Sequence, residues 1–452
     1  MAGGTTSGDR VTETIIAQVG ALMAGPLPDD VVEWARHCVL DWIGITLAGA
    51  DDELTLFLLD EARVQGGNPA STILRHGDRT STPLAAFVNA AGADALDFSD
   101  ANPAMHGHTT PAIVATALAL AEAQGASGRA LLEAIVAGIE TACRVGVLVH
   151  GSLHPNGFHP TGTTVPFGAA AAAARLLKLD PGQSAHALGL AATQGAGLVA
   201  SAGTMAKPFH SGKAAMSGLM GASLAQRGFV ARPDAIEARG GFLTAHVKEW
   251  SAEPLAACEG RYFIRETKFK AHAACALTHG SIENMLKLIA HHGVAPKDIA
   301  HVDLQVPTSS MGVCNIDEPQ TGLEAKFSLR ATAAMALLGD ATGDIGAYTV
   351  ERVMRPEMKA LRARIGVTPR DDLDGGNAVA IVKMADGRSI AESIDSYAPE
   401  TDLTGQRGRL IRKFEALMTP LLGEKRTMSL EEAIFAIDKA PSVTPLIAMT
   451  GR

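Results

Sequence analysis

The stretch GSLHPNGFHPTGTTVPFGAAAAAARLLKLD, residues 151–180, decides the fold. Pro155 and Pro160 stiffen its first half, while Gly157 and Gly162 open backbone options closed to other residues. Six consecutive alanines follow, and alanine is the strongest helix former. A helix of such small side chains is useful only where something packs closely against it, so a tightly packed helical protein is expected. The chain on either side agrees. From about residue 10 to 230, segments such as DDVVEWARHCVLDWIGITLAG (29–49), PAIVATALALAEAQG (111–125) and ALLEAIVAGIETACRVGVLVHG (130–151) repeat apolar residues at spacings of three and four.

Near residue 300 the period changes. HVDLQV (301–306) alternates Val302, Leu304 and Val306 with His301, Asp303 and Gln305, the period of a strand. NAVAIVKMADGRSIAESI (377–394) sets Asp386-Gly387 between two β-capable runs, which reads as a hairpin. LTGQRGRLIRKFEALMTPLLG (403–423) and SLEEAIFAID (429–438) are helical again. The expected architecture is mainly α: a helical domain over 1–264, a smaller α+β domain with an antiparallel sheet over 265–402, and helices over 403–452 that return to the first domain.

At 452 residues the chain exceeds what one core usually serves. Its formal charge of −9 offers no basic stripe for nucleic acid. Five scattered cysteines without CxxC spacing indicate neither a disulfide framework nor a cysteine-rich zinc site, and a reducing cytoplasm fits. The opening MAGGTTSGDRVTETI lacks the apolar core of a signal peptide. One uncharged run, Ala187 to Ala206, could span a bilayer by length, but its Gly, Thr, Ser and Gln content reads as buried helix.

The chemistry lies among histidines, lysines and carboxylates, because no nucleotide fingerprint or P-loop is present. In LDFSDANPAMHGHTT (96–110), Asp97 and Asp100 end an apolar helix ahead of a broken loop with His106 and His108. His108 reads as an acid/base group whose tautomer Asp97 holds. The alternative is a loop whose aspartates cap helices and whose histidines meet solvent. A third reading makes His106-x-His108 a metal pair, though the usual partner cluster is missing. In GTMAKPFHSGKAAMSG (203–218), Lys207 stands at the end of the uncharged run, where Pro208 should halt or turn the chain, and a lone lysine there would anchor an anion. The alternatives are a snorkelling Lys207 and a helix-capping His210. In KFKAHAACALTHGSIENML (268–286), Cys275 and His279 share a helical face. They read either as a thiolate pair or as a buried thiol and a packed imidazole.

HGHTTPAIVATALALAE, GFHPTGTTVPFGAAAAAARLL, GTMAKPFHSGKAA, KFKAHAACALTHGSIENM and EAKFSLRATAAMALL resemble the successive signature blocks of the MmgE/PrpD family. That family includes 2-methylcitrate dehydratases, cis-aconitate decarboxylases and iminodisuccinate epimerases. The resemblance runs from about residue 10 to 440. It implies a helical domain built from both chain ends, an inserted α+β lid, a homodimer, and a metal-free, cofactor-free site in the interdomain cleft. Position by position it favours Asp97, His108, His159, Lys207, Lys270 and His279. His154 and His210 join Lys207 and Lys270 as candidate substrate contacts. The chain departs from the family at Ala101, often Thr, at Ser99, often a second Asp, and at Ala331, where dehydratase- and decarboxylase-like chains commonly carry Tyr. Epimerase-like members tend to place Tyr where this chain has His154.

The family's shared chemistry moves a proton at a carbon next to a carboxylate. An unactivated carboxylate is a poor electron sink, so cationic groups must meet the charge that builds on it. The expected function is a metal-independent lyase of the dehydratase or decarboxylase type acting on a small di- or tricarboxylate, with an epimerase as the second reading. A catalytically idle helical interaction protein is the reading from another class.

Overall fold

A computed structural model describes residues 10–398 and 400–452. The fold is mainly α. Two compact units divide it: the chain through Phe269 together with Glu400–Arg452, and the stretch Lys270–Pro399.

In the first unit the alanine helix, Pro160–Leu177, starts with Pro160 in its first turn, where a missing N–H costs nothing, and ends on Lys178 in the left-handed region. Ala169, Ala170, Ala172 and Ala173 are fully buried. The reason for their size is the approach of two neighbours, Gly128–Leu148 and Ala206–Gln226. A Cβ placed on Gly168 would come within 2.7 Å of the Gly138 carbonyl oxygen, and one on Gly218 within 2.5 Å of the Ala169 Cβ. Backbones in contact at this distance leave room for hydrogen or methyl side chains and nothing larger. Thr82–Asp94 and Thr110–Gln124 complete the surrounding layer. The return helix Leu403–Leu422 packs on Asp29–Ala48, with Phe414 buried against Gly44. Apart from a two-residue pairing of Ser71–Thr72 with Arg79–Thr80, the described regular structure here is helical.

The second unit holds a four-stranded sheet in the order Ile365–Arg370, Ile299–Pro307, Asn377–Met384, Ser389–Asp395. Val302, Leu304 and Val306 are buried, as their alternation requires. The Asp386-Gly387 turn joins the last two strands, with Gly387 at φ +91°. The sheet is mixed, where the sequence suggested antiparallel pairing: Ile299–Pro307 runs parallel to Ile365–Arg370. Short helices between those two strands supply the crossover that parallel pairing needs. Helix Ala276–His292 covers the sheet, its Asn284 donating to the Ala378 carbonyl at 3.0 Å.

Two local expectations fail. Ala187 to Ala206 is not one buried helix: the helix Pro181–Ala192 stops, an exposed loop carries Leu198 and Met205, and the next helix begins at Ala206. Gly195 and Gly197 of the run are used for close approach, since a Cβ on Gly195 would lie 2.7 Å from the Thr163 carbonyl oxygen and one on Gly197 3.1 Å from the His210 Nδ1. Pro208 does not halt the chain either, because it lies in the first turn of the new helix. Among the described residues, no helix is long and apolar enough to cross a membrane.

Candidate active site

The first unit gathers its polar groups around a lysine whose side chain is 12% exposed. Lys207, in the first turn of Ala206–Gln226, donates to Asp97 Oδ1 at 2.8 Å and to Asp94 Oδ1 at 3.1 Å. Asp94 is fully buried at the end of Thr82–Asp94 and also accepts from Ser99 Oγ and Ser211 Oγ, each at 2.9 Å. Burial opposes its ionisation, yet the charges of Lys207 and His108 hold its carboxyl below the usual range. The two carboxylates in turn overcome burial and raise the Lys207 ammonium above its ordinary value. Lys207 is therefore charged and doubly paired, where the sequence suggested a lone anion anchor.

Asp97 adopts φ +52°, a left-handed conformation uncommon outside glycine. That turn aims the next residues at His108. The His108 Nδ1 lies 2.5 Å from the Asp100 carbonyl oxygen and 3.2 Å from Ser99 Oγ. A carbonyl only accepts, so Nδ1 carries the proton in this contact. The Asp100 backbone carbonyl thus holds Nδ1, and the Asp97 carboxylate, which shares one cluster with His108, also bonds Lys207. The Asp100 side chain is a helix cap: it accepts from the backbone and hydroxyl of both Thr109 and Thr110 at the start of Thr110–Gln124.

His159 is the residue just before the alanine helix, and its backbone N–H donates to the Gly197 carbonyl at 3.0 Å. Its ring stands 6.4 Å from that of His108 and 5.1 Å from that of His210. The His159 and His210 Nδ1 atoms are 2.9 Å apart, so one donates to the other. Burial, with help from the Lys207 and His108 charges, pushes the His159 imidazole well below its ordinary pKa. Burial lowers His210 as well. His210 lies inside its helix and does not cap it.

Of the remaining candidates, His106 and His154 belong to the first unit and Lys270 and His279 to the second. His106, at φ +51°, turns its ring to His150, with nitrogens 3.1 Å apart, so the His-x-His spacing sends its two imidazoles to different neighbours. Burial and the charges of His150 and His154 lower His106 to about 4, which groups the exposed His154 with this pair. In the second unit Lys270 and His279 are buried. The His279 ring packs edge-on to His272, 5.0 Å away, and His272 pairs with Glu283 at 2.9 Å. The buried Cys275 precedes the helix Ala276–His292 and hydrogen-bonds with Cys314; that bond and burial push the Cys314 thiol well above its usual pKa. The His279 Nε2 instead faces the Ala274 carbonyl at 3.3 Å.

Asp94, Asp97 and His108 offer ligand atoms within 4.8 Å of one another, the one such group among the described residues. The Lys207 ammonium already bonds both carboxylates, so a divalent cation would have to displace a cation that fits. Asp94 was missed by sequence reasoning. Its signal was the Asp94-x-x-Asp97 spacing at a helix end, which presents both carboxylates to one partner.

The MmgE/PrpD N-terminal domain matches residues 13–255 and the MmgE/PrpD C-terminal domain residues 272–437. A cis-aconitate decarboxylase of Aspergillus terreus is 27% identical across 97% of this chain and 95% of its own length. Cis-aconitate decarboxylases of Mus musculus and Homo sapiens are 26% and 27% identical, each across 86% of this chain and 82% and 83% of their own lengths. The two family matches cover most of the sequence in order, and the chain belongs to the MmgE/PrpD family.

Proposed function

We propose that this protein is a lyase that decarboxylates a small tricarboxylate of the cis-aconitate class. The names of its relatives support the substrate class. The observation that carries the chemistry is the row of His108, His159 and His210 beside the Lys207 carboxylate cluster. In this reading the bond to the departing carboxylate breaks, CO2 leaves, and the electron pair stays on the carbon skeleton until an imidazole delivers a proton to it. His108 is the group suited to carry that proton, because Nδ1 is fixed by Asp100 and its ring lies beside the Asp94 and Asp97 carboxylates. His159, held neutral at pH 7, is suited to accept one. Lys207 keeps two carboxylates from repelling an anionic substrate, and Lys270 and His279 enter the proposal through their places in the family's motif. The pure protein incubated with cis-aconitate, 2-methylcitrate or iminodisuccinate in deuterated water tests this. Release of CO2 with new vinyl signals from cis-aconitate is expected. Deuterium exchange into iminodisuccinate without net conversion would replace the lyase with an epimerase.

A further inference from the structure

We infer that Lys413, on the return helix Leu403–Leu422, is a positioning residue for the Asp97–His108 loop, an inference that rests on the decarboxylase reading for its kinetic arm. The four residues 97–100 hold the site together. Asp97 pairs with Lys207, Ser99 bonds Asp94 and His108, and the Asp100 carbonyl meets the His108 Nδ1. Phe98, the remaining member, is fully buried and follows the left-handed Asp97. A turn of that kind persists only where its surroundings over-determine it.

Lys413 supplies that constraint in two ways at once. Its Nζ donates to the Phe98 carbonyl at 2.9 Å and stands 3.7 Å from the centre of the Phe98 ring, a close cation–π approach. The ammonium is fixed by Asp41, on Asp29–Ala48, at 2.7 Å. Both side chains are nearly or wholly buried. Two helices from opposite ends of the sequence thus grip one peptide unit, and that unit lies between the carboxylate that binds Lys207 and the carbonyl that sets the His108 tautomer. Asp41 is also close enough to oppose ionisation of Asp100. Nothing in this arrangement touches a reacting atom, so Lys413 acts through His108 and Asp97.

Removing Lys413 alone leaves Asp41 buried without its cation, which can prevent folding. The test therefore compares Lys413→Met with the double variant Asp41→Asn/Lys413→Met, which deletes both charges, and with Asp41→Asn, which keeps the donor to Phe98. The double variant is expected to fold, to keep the KM of the wild-type protein, and to lose about 100-fold in kcat, the scale of an ångström of misplacement in a site. Asp41→Asn is expected to stay near the wild-type kcat. A second readout needs no substrate: in histidine-selective 15N spectra, the His108 Nδ1 resonance should lose its hydrogen-bonded position in the double variant and keep it in Asp41→Asn. A folded double variant with wild-type kcat and an unchanged His108 spectrum would overturn the inference. If the wild-type protein converts no tested acid, the decarboxylase reading fails, and the His108 spectrum alone decides the role of Lys413.

Discussion

At the residue scale, the arrangement separates the roles of the histidines by their surroundings. His159 is pressed below its ordinary pKa by burial and nearby positive charge, whereas His108 faces two carboxylates. Replacing His159 with Gln keeps size and polarity and removes titration. Turnover is expected to fall by about two to four orders of magnitude, the span of a general acid/base, with binding of the acid nearly unchanged. The same variant reports on stability. A histidine lowered in the fold takes up protons in the unfolded chain first, so stability is full above about pH 6.5 and falls as pH drops below it. Urea midpoints at pH 7.5 and 5.5 should converge in His159→Gln relative to wild type. Lys207 carries a different expectation from the one its sequence suggests. An exposed anchor could be deleted with folding intact, but Lys207→Met strands the Asp94 and Asp97 carboxylates and should cost about 3–5 kcal/mol, the penalty for breaking a buried pair. A urea midpoint close to wild type would mean that the two carboxylates are reprotonated or rehydrated without it.

At the element scale, the alanine helix answers the question its composition raises. It is small because it is the middle of a three-helix contact, with Gly138 pressed against one side and Gly218 against another. Its first turn also sets the site, since His159 precedes Pro160 directly and the Gly197 carbonyl fixes the His159 backbone. Gly168→Val would push a branched side chain into the Gly138 carbonyl and Ile113. Overpacking of this kind costs about 1–3 kcal/mol, and more where backbone is the obstacle. The urea midpoint should drop accordingly, while Gly125→Ala, at a left-handed helix end with open space around it, should cost less. The run from Ala187 to Ala206 shows the opposite behaviour. It is equally rich in small residues, but only its first six continue a helix; Gly195 and Gly197 lie in the loop that follows and approach Thr163, Gly162 and His210, so smallness there serves backbone approach.

At the scale of the whole molecule, the last fifty residues are part of the first unit's core. Leu410, Phe414, Met418, Leu430 and Ile434 are buried on it. Full burial of one such side chain contributes about 1.5–3 kcal/mol, so five of them contribute about 7–15, as much as a typical domain's entire stability. A chain ended after residue 399 is expected to lose cooperative unfolding in circular dichroism and to bind a hydrophobic dye. A sharp melt near the wild-type temperature would show that this core closes without them.

The sequence by itself determined the helical first unit, a strand at 301–306, a hairpin at 377–394 and the histidines and lysines worth naming. Periodicity and turn chemistry are local, and they write themselves into neighbouring residues. The family likewise followed from ordered motifs. Tertiary structure alone decided which of those groups meet. Asp94 at a helix end, Asp97 in the turn after it and Lys207 in a helix more than a hundred residues on are brought together by packing that no spacing encodes. The same holds for the grip of Asp41 and Lys413 on Phe98, and for the parallel strand pair, whose partners are separated by a crossover. His108 took its tautomer from a backbone carbonyl, an acceptor every residue carries, so no residue type could announce it.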